Sequence, residues 1–180
     1  MDEWTATAAR NNAEWCDLVC RTHLARTSVD AAAWTSATRT PPYYPDAVTL
    51  TAEVSVDDLL TRIDSSAGCS IKDSFASIDL LPYGFRILFE AEWIMSDKQV
   101  AHVSGGRRWE RMRHRDDLAE WEAVWQDDGD FGGPFRTELL DDQRVTFLAC
   151  YVHDRVVAGA ILNLSAGAVG ISNFFAGENE

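Results

Sequence analysis

The sequence predicts an α+β fold, with a mainly antiparallel sheet and helices packed on it. Three observations predict it. Residues 11–25 and 115–126 repeat apolar side chains at three- and four-residue spacing, the pattern of amphipathic helices. Between 144 and 175, runs of Val, Ile, Leu and Phe alternate with the hairpin-sized connectors His153-Asp154 and Ser165-Ala166-Gly167. The length, 180 residues with 46% hydrophobic, suits one ordinary domain or two small lobes. It is short of the ~250 residues of a typical (β/α)₈ barrel.

Taken in order, Asn11 or Asn12 is expected to cap a helix over 11–25, on which Trp15, Leu18, Val19 and His23 recur. Ser28 caps a second, shorter helix at 29–37. The run Thr40-Pro41-Pro42-Tyr43-Tyr44-Pro45 forbids helix and predicts an extended crossing segment. Val48-Thr49-Leu50 reads as a strand. Ser55 starts a third helix with Val56, Leu59, Leu60 and Ile63 on one side, and Ser65-Ser66-Ala67-Gly68 ends it. Alternation then predicts strands at 70–80 and 85–95, joined as a hairpin through Leu81-Pro82-Tyr83-Gly84. Gly105-Gly106 falls at the boundary between two lobes, 1–104 and 105–180.

The second lobe opens with a short strand, Arg108 to Arg113. A helix follows at 115–126, with Leu118, Trp121, Val124 and Trp125 on one face. A loop from Asp127 to Pro134 leads to a short helix at 136–141. Strands at 144–152, 155–164 and 168–175 complete an antiparallel meander. Ala13-Glu14-Trp15 and Ala119-Glu120-Trp121 echo each other, as do Val48-Thr49 and Val145-Thr146. A duplicated α-α-β-β-β unit would account for the echo, and so would chance.

Charge narrows the function classes. The net charge of −13, from 16 Lys+Arg against 29 Asp+Glu, repels phosphate backbones and argues against nucleic-acid binding. No apolar run approaches the ~18 residues of a membrane helix. Met1-Asp2-Glu3-Trp4 lacks the start of a signal peptide, and the cysteines at 16, 20, 69 and 150 read as reduced thiols. The expectation is a cytoplasmic, acidic protein.

The stretch Asp142 to Ala176 carries a family resemblance. It reads Val145-Thr146-Phe147-Leu148-Ala149, then Val156-Val157-Ala158-Gly159-Ala160, then Val169-Gly170-Ile171-Ser172-Asn173-Phe174-Phe175. Preceded by the Trp-rich helix, it resembles the first half of the GNAT superfamily of N-acyltransferases, ordered strand-helix-helix-strand-strand-strand. The resemblance covers about 105–180. It implies transfer from acetyl-CoA or another acyl-CoA, as cosubstrate, to a small-molecule or protein amine, with no metal. In such enzymes a backbone N–H late in the fourth strand polarises the thioester. That places acyl-CoA binding at Ser172, Asn173 and Phe174. In the superfamily this strand leads into a Q/R-x-x-G-x-G/A loop that holds pyrophosphate. Here Ala176-Gly177-Glu178-Asn179-Glu180 follows instead, with two carboxylates. Three expectations follow: a fragment of a longer acyltransferase-like protein, a chain without the cofactor site, or a first lobe that completes the fold. The alternative function is a catalytically inactive GNAT-like module that binds a small molecule or a protein partner. An enzyme of other chemistry on the same scaffold is a third.

Other residues carry weaker signals. Asn163, on the strand before Ser172, and Tyr43 are candidates for substrate binding. Tyr43 and Tyr44 in their Pro-rich segment either wall a ligand pocket or pack the lobes. Arg107, Arg108, Arg111, Arg113, His114 and Arg115 form a positive island, suited to phosphates or an acidic partner, or paired with Glu110, Asp116 and Asp117. Cys16, Cys20 and His23 share a helix face, but core thiols fit better than zinc ligands. Cys69 and Cys150 lack a companion His that would activate a thiolate. Asp73, between Ile71 and Phe75, is either a base of raised pKa or a paired or solvated acid.

Overall fold

The computed structural model describes residues 3–97, 108–126 and 132–177. It divides the chain into two compact units, Met1–Ser96 and Asp97–Glu180. The fold is α+β.

The first unit opens with α1, Glu3–Thr22, which starts well before the expected residue 11. Ala6, Ala8 and Ala9 favour helix there, and Asn11 is buried within it rather than capping it. One face, including Ala9, Ala13, Cys16, Val19 and Cys20, is buried. The helix expected at 29–37 is instead a hairpin of β1, Thr27–Val29, and β2, Ala33–Ser36. Its cause is Asp30, whose Oδ1 accepts from Ala32 N at 2.8 Å and Ala33 N at 2.9 Å. This local turn outcompetes a helical start. Trp34 then enters the core, with Nε1 donating to Asp17 Oδ1 at 2.9 Å.

The Pro-rich segment turns rather than runs extended. Tyr44 N donates to Pro41 O at 3.2 Å, and Tyr43 adopts φ 72°. The strand after it, β3, covers Ala47–Thr49 and pairs antiparallel with β2. Ser55 caps α2, Val56–Thr61, by accepting from Asp58 N at 3.3 Å. Leu59 and Ile63 of this segment join Ala33 and Ala47 in a small core, flanked by Val54, Leu60, Cys69, Ile71 and Ile78.

The expected hairpin of 70–80 and 85–95 does not form. Only β4, Ile71–Lys72, is a strand, and it runs parallel to β3. Asp73 takes over the backbone beyond it. Its carboxylate accepts from Phe75 N at 3.1 Å, Ser77 N at 2.6 Å and Ile78 N at 3.0 Å, besides the Thr49 hydroxyl at 3.1 Å. Those N–H groups are lost to any ladder. A 3-10 turn at Leu81–Tyr83 closes on Gly84 at φ 83°, and residues 85–97 form no regular element.

Asp46 ties this unit together. Its side chain is 1% exposed and accepts from Arg39 Nη1 at 2.7 Å, Thr40 N at 3.1 Å, Thr40 Oγ1 at 3.2 Å and Ser70 N at 3.0 Å. Its own N–H donates to Ser70 O at 2.8 Å, which brings β4 alongside β3.

The second unit follows the expected order closely. It comprises β5, Arg108–Arg111; α3, Asp116–Gln126; a 3-10 turn, Thr137–Asp141; β6, Val145–Val152; β7, Arg155–Ser165; and β8, Ala168–Ala176. The sheet is antiparallel throughout, in the order β5-β6-β7-β8. Trp121 of α3 is fully buried against Phe135, Phe147 and Phe175. The units are therefore not copies of one α-α-β-β-β motif, because the first replaces the second helix by a hairpin and contains a parallel pair. The lobe boundary at Gly105-Gly106 and most of the loop from Asp127 lie outside the described residues. Among the described residues, no helix is long and apolar enough to cross a membrane.

Replacing Asp46 by Ala is expected to destabilise the first unit by about 3 kcal/mol in urea unfolding. The figure takes the low end for a broken buried pair because Arg39 is 34% exposed. A loss below about 1 kcal/mol would show that the carboxylate does not hold β3 and β4 together.

Candidate functional site

The most unusual backbone of the second unit lies in β8. Gly159 of β7 stands opposite Phe175, and Ile161 opposite Ser172. Between those pairs β7 has one residue, Ala160, and β8 has two, Asn173 and Phe174. This is a β-bulge, and Asn173 sits in the left-handed region at φ 51°. Asn tolerates that conformation better than other side chains with a Cβ.

The bulge changes the phase of the strand. In a regular strand Ser172 and Phe175, three apart, would point to opposite faces. Here both share the face that carries Phe147 and Ile161, and the Phe175 ring meets Trp121 edge-to-face at 4.9 Å. The other face of β8 shows Val169, Ile171 and Phe174 to solvent, the last two at 70% exposure. Gly159 makes the arrangement possible. A Cβ there would collide with Trp121 Nε1 and come within 2.6 Å of Phe175 Cε1. Trp121 Nε1 donates instead to Leu148 O at 3.0 Å, fixing α3 to β6.

Ser172, Asn173 and Phe174 are thus brought together at a bulge on a strand that, among the described residues, is the edge of its sheet. Ser172 Oγ is buried without a hydrogen-bond partner. Asn163 is buried on β7, opposite Gly170, with Nδ2 3.4 Å from Ser165 Oγ. Tyr43 belongs to the first unit, where its side chain is exposed. Tyr44 packs inward, its ring 6.3 Å from that of Trp15. The bulge and the Gly159–Trp121 contact were not legible. The polar pair Ser172-Asn173 inside an apolar run was their only trace.

Several of the remaining candidates make structural contacts. Arg108 pairs with Glu110 at 3.2 Å and Asp154 at 3.4 Å, and Arg115 with Asp141 at 2.6 Å. Arg107 lies outside the described residues, as do Glu178 and Glu180. Cys16 and Cys20 are core residues, and burial pushes the Cys16 thiol up to about 12 and that of Cys20 higher still. Cys150 is buried on β6. Cys69 is half-buried, and burial with the nearby Asp46 charge pushes its thiol up to about 11, the reverse of an activated nucleophile. Asp73 closes a loop, with its carboxylate engaged by backbone amides. Glu122, half-buried on α3, accepts from Phe135 N at 2.9 Å, and burial raises its pKa.

Two substitutions test this geometry. Asn173→Val places a β-branched residue at positive φ and is expected to lower stability by about 1–2 kcal/mol, whereas Asn173→Gly should leave it within a few tenths. Equal effects of both in chemical denaturation would contradict the bulge. Gly159→Ala overpacks the site and is expected to cost about 1–3 kcal/mol and to change the near-UV signal of Trp121. An unperturbed variant would place the ring elsewhere.

The chain matches no family model, no curated protein and no solved structure.

Proposed function

We propose that the second unit is the acyl-binding half of an acyl-CoA-dependent N-acyltransferase that modifies a small-molecule or protein amine. The observation that carries this reading is the bulge at Asn173-Phe174. A bulge takes its extra residue out of the ladder. Backbone N–H groups released there can donate to an oxygen that gains negative charge during acyl transfer. The position is the one where the resemblance puts the polarising donor. The order of β5, α3, β6, β7 and β8 supports this reading, with a 3-10 turn where the resemblance implies a second helix.

The chemistry asks little of side chains. A neutral amine attacks the thioester carbonyl, a C–N bond forms and the C–S bond breaks. The amine loses a proton and the departing thiolate gains one. In this reading a bulge N–H steadies the carbonyl oxygen. Ser172, with its unpartnered buried hydroxyl, and Asn163 border the acyl group and the amine. The Phe174 ring, exposed beside the bulge, offers apolar surface to the pantetheine arm.

A second reading, a GNAT-like module without catalysis, is favoured by the exposed apolar side chains Ile87, Leu88, Phe89 and Ile94, which suit a protein partner better than a small substrate.

Melting the chain with acetyl-CoA separates the two. At 100 times its Kd, the ligand is expected to add about 2.7 kcal/mol to the unit that binds it. For a unit of this size that corresponds to roughly 11–22 °C at about 4–8 °C per kcal/mol. No shift at millimolar acetyl-CoA would leave the non-catalytic module.

A further inference from the structure

We propose that the Lys72 ammonium and the Ser74 hydroxyl, gathered by the Trp93 indole, bind the carboxylate of a small organic acid. The proposal stands apart from acyl transfer and lies wholly within the first unit.

Lys72 ends β4. Its neighbour Ile71 packs against the core of Ala33, Ala47, Leu59 and Ile63. Alternation turns Lys72 to the opposite face of the sheet, where Cys16 of α1 is close enough for the two groups to affect each other's titration. There Lys72 Nζ lies 4.4 Å from the centre of the Trp93 ring. Trp93 is itself fixed, because its Nε1 donates to Ser74 O at 3.0 Å. One indole thus touches both residues. The Ser74 N–H is committed too, donating to Thr49 Oγ1 at 2.8 Å.

Two polar groups of this cluster are left unspent. Ser74 is 7% exposed, and among the described residues its buried Oγ has no hydrogen-bond partner. Lys72 is half-buried, and burial lowers its pKa. A cation withdrawn from water is ordinarily paired with an acid. The chain has 29 Asp+Glu, yet among the described residues none forms an ion pair with Lys72. Asp73, next in the chain, is occupied by the amides of Phe75, Ser77 and Ile78. The Cys16 thiol, pushed up to about 12, is neutral at ordinary pH. The indole face attracts the ammonium but carries no net negative charge. What the cluster lacks is an anion.

The donors select its kind. An ammonium and a hydroxyl supply one positive charge and hydrogen bonds for two oxygens, which a carboxylate matches. A phosphate dianion is better served by the planar fork of an arginine. Ser74 is almost wholly buried, so an acid that reaches its hydroxyl has to be small.

Titrating the full chain with sodium acetate, against sodium chloride and sodium phosphate at equal ionic strength, tests the proposal. The readout is the Trp93 indole N–H signal in a proton–nitrogen NMR spectrum, identified as the one lost in Trp93→Phe. Acetate is expected to shift this signal saturably, while chloride and phosphate leave it in place. Lys72→Gln should weaken acetate binding at least about tenfold, and Ser74→Ala about three- to tenfold. The other indole signals report whether each variant is folded. Ser74→Ala keeps the backbone bonds to Thr49 and Trp93, so it decides the matter even where Lys72→Gln fails to fold. No saturable effect of acetate, an equal or larger response to chloride or phosphate, or undiminished acetate binding in a folded variant would overturn the proposal.

Discussion

Trp121 sets the geometry of the second unit. Its indole lies against the bare backbone of Gly159, meets Phe135, Phe147 and Phe175 edge-to-face and stacks with Trp125. Its N–H holds the carbonyl of Leu148. A ring of this size can reach so close to the sheet only where a glycine leaves space. Phe175 can meet it only if β8 changes phase before arriving there. The bulge is thus a consequence of packing, and a helix and three strands are locked by one side chain.

The first unit is held differently. Beside an apolar core that includes Trp15, Val19, Trp34 and Leu59, carboxylates do much of the organising. Asp30 makes a turn, Asp46 joins β3 to β4, and Asp73 gathers the amides that a longer strand would have used. Each carboxylate accepts from several donors, so removing one would strand several groups at once. This helps explain how an acidic chain is compatible with a compact unit. Some of its negative charge is spent on backbone N–H groups, which solvent would otherwise satisfy.

These two modes of construction decide what was legible in the sequence. Where hydrophobic periodicity dominates, as in α3 and the β6-β7-β8 meander, boundaries fell within a residue or two. Where side chains compete for backbone, periodicity misleads. Residues 29–37 read as a helix because nothing in their spacing reveals that Asp30 closes a turn. Residues 70–80 alternate like a strand, but Asp73 removes their donors. Residues 85–95 alternate as well and lack a partner in the described chain. The candidate site was half legible: Ser172-Asn173 stood out as polar, but a one-residue change of phase leaves almost no mark on composition.

The bulge also says why a site at β8 is physically reasonable. Holding Asn173 at positive φ costs on the order of 1 kcal/mol, and the bulge locally disrupts the ladder. Such a conformation persists only when surrounding packing over-determines it. Here the Trp121–Phe175 contact does so from one face, and among the described residues no strand pairs with the outer edge of β8, where Phe174 is exposed. Backbone donors fixed in this way need no reorganisation to meet a developing charge, which is what electrostatic preorganisation requires. A side chain delivering the same hydrogen bond would have to be held in one rotamer. In the proposed reading, a bulge pinned by an aromatic core would already have its donor in place.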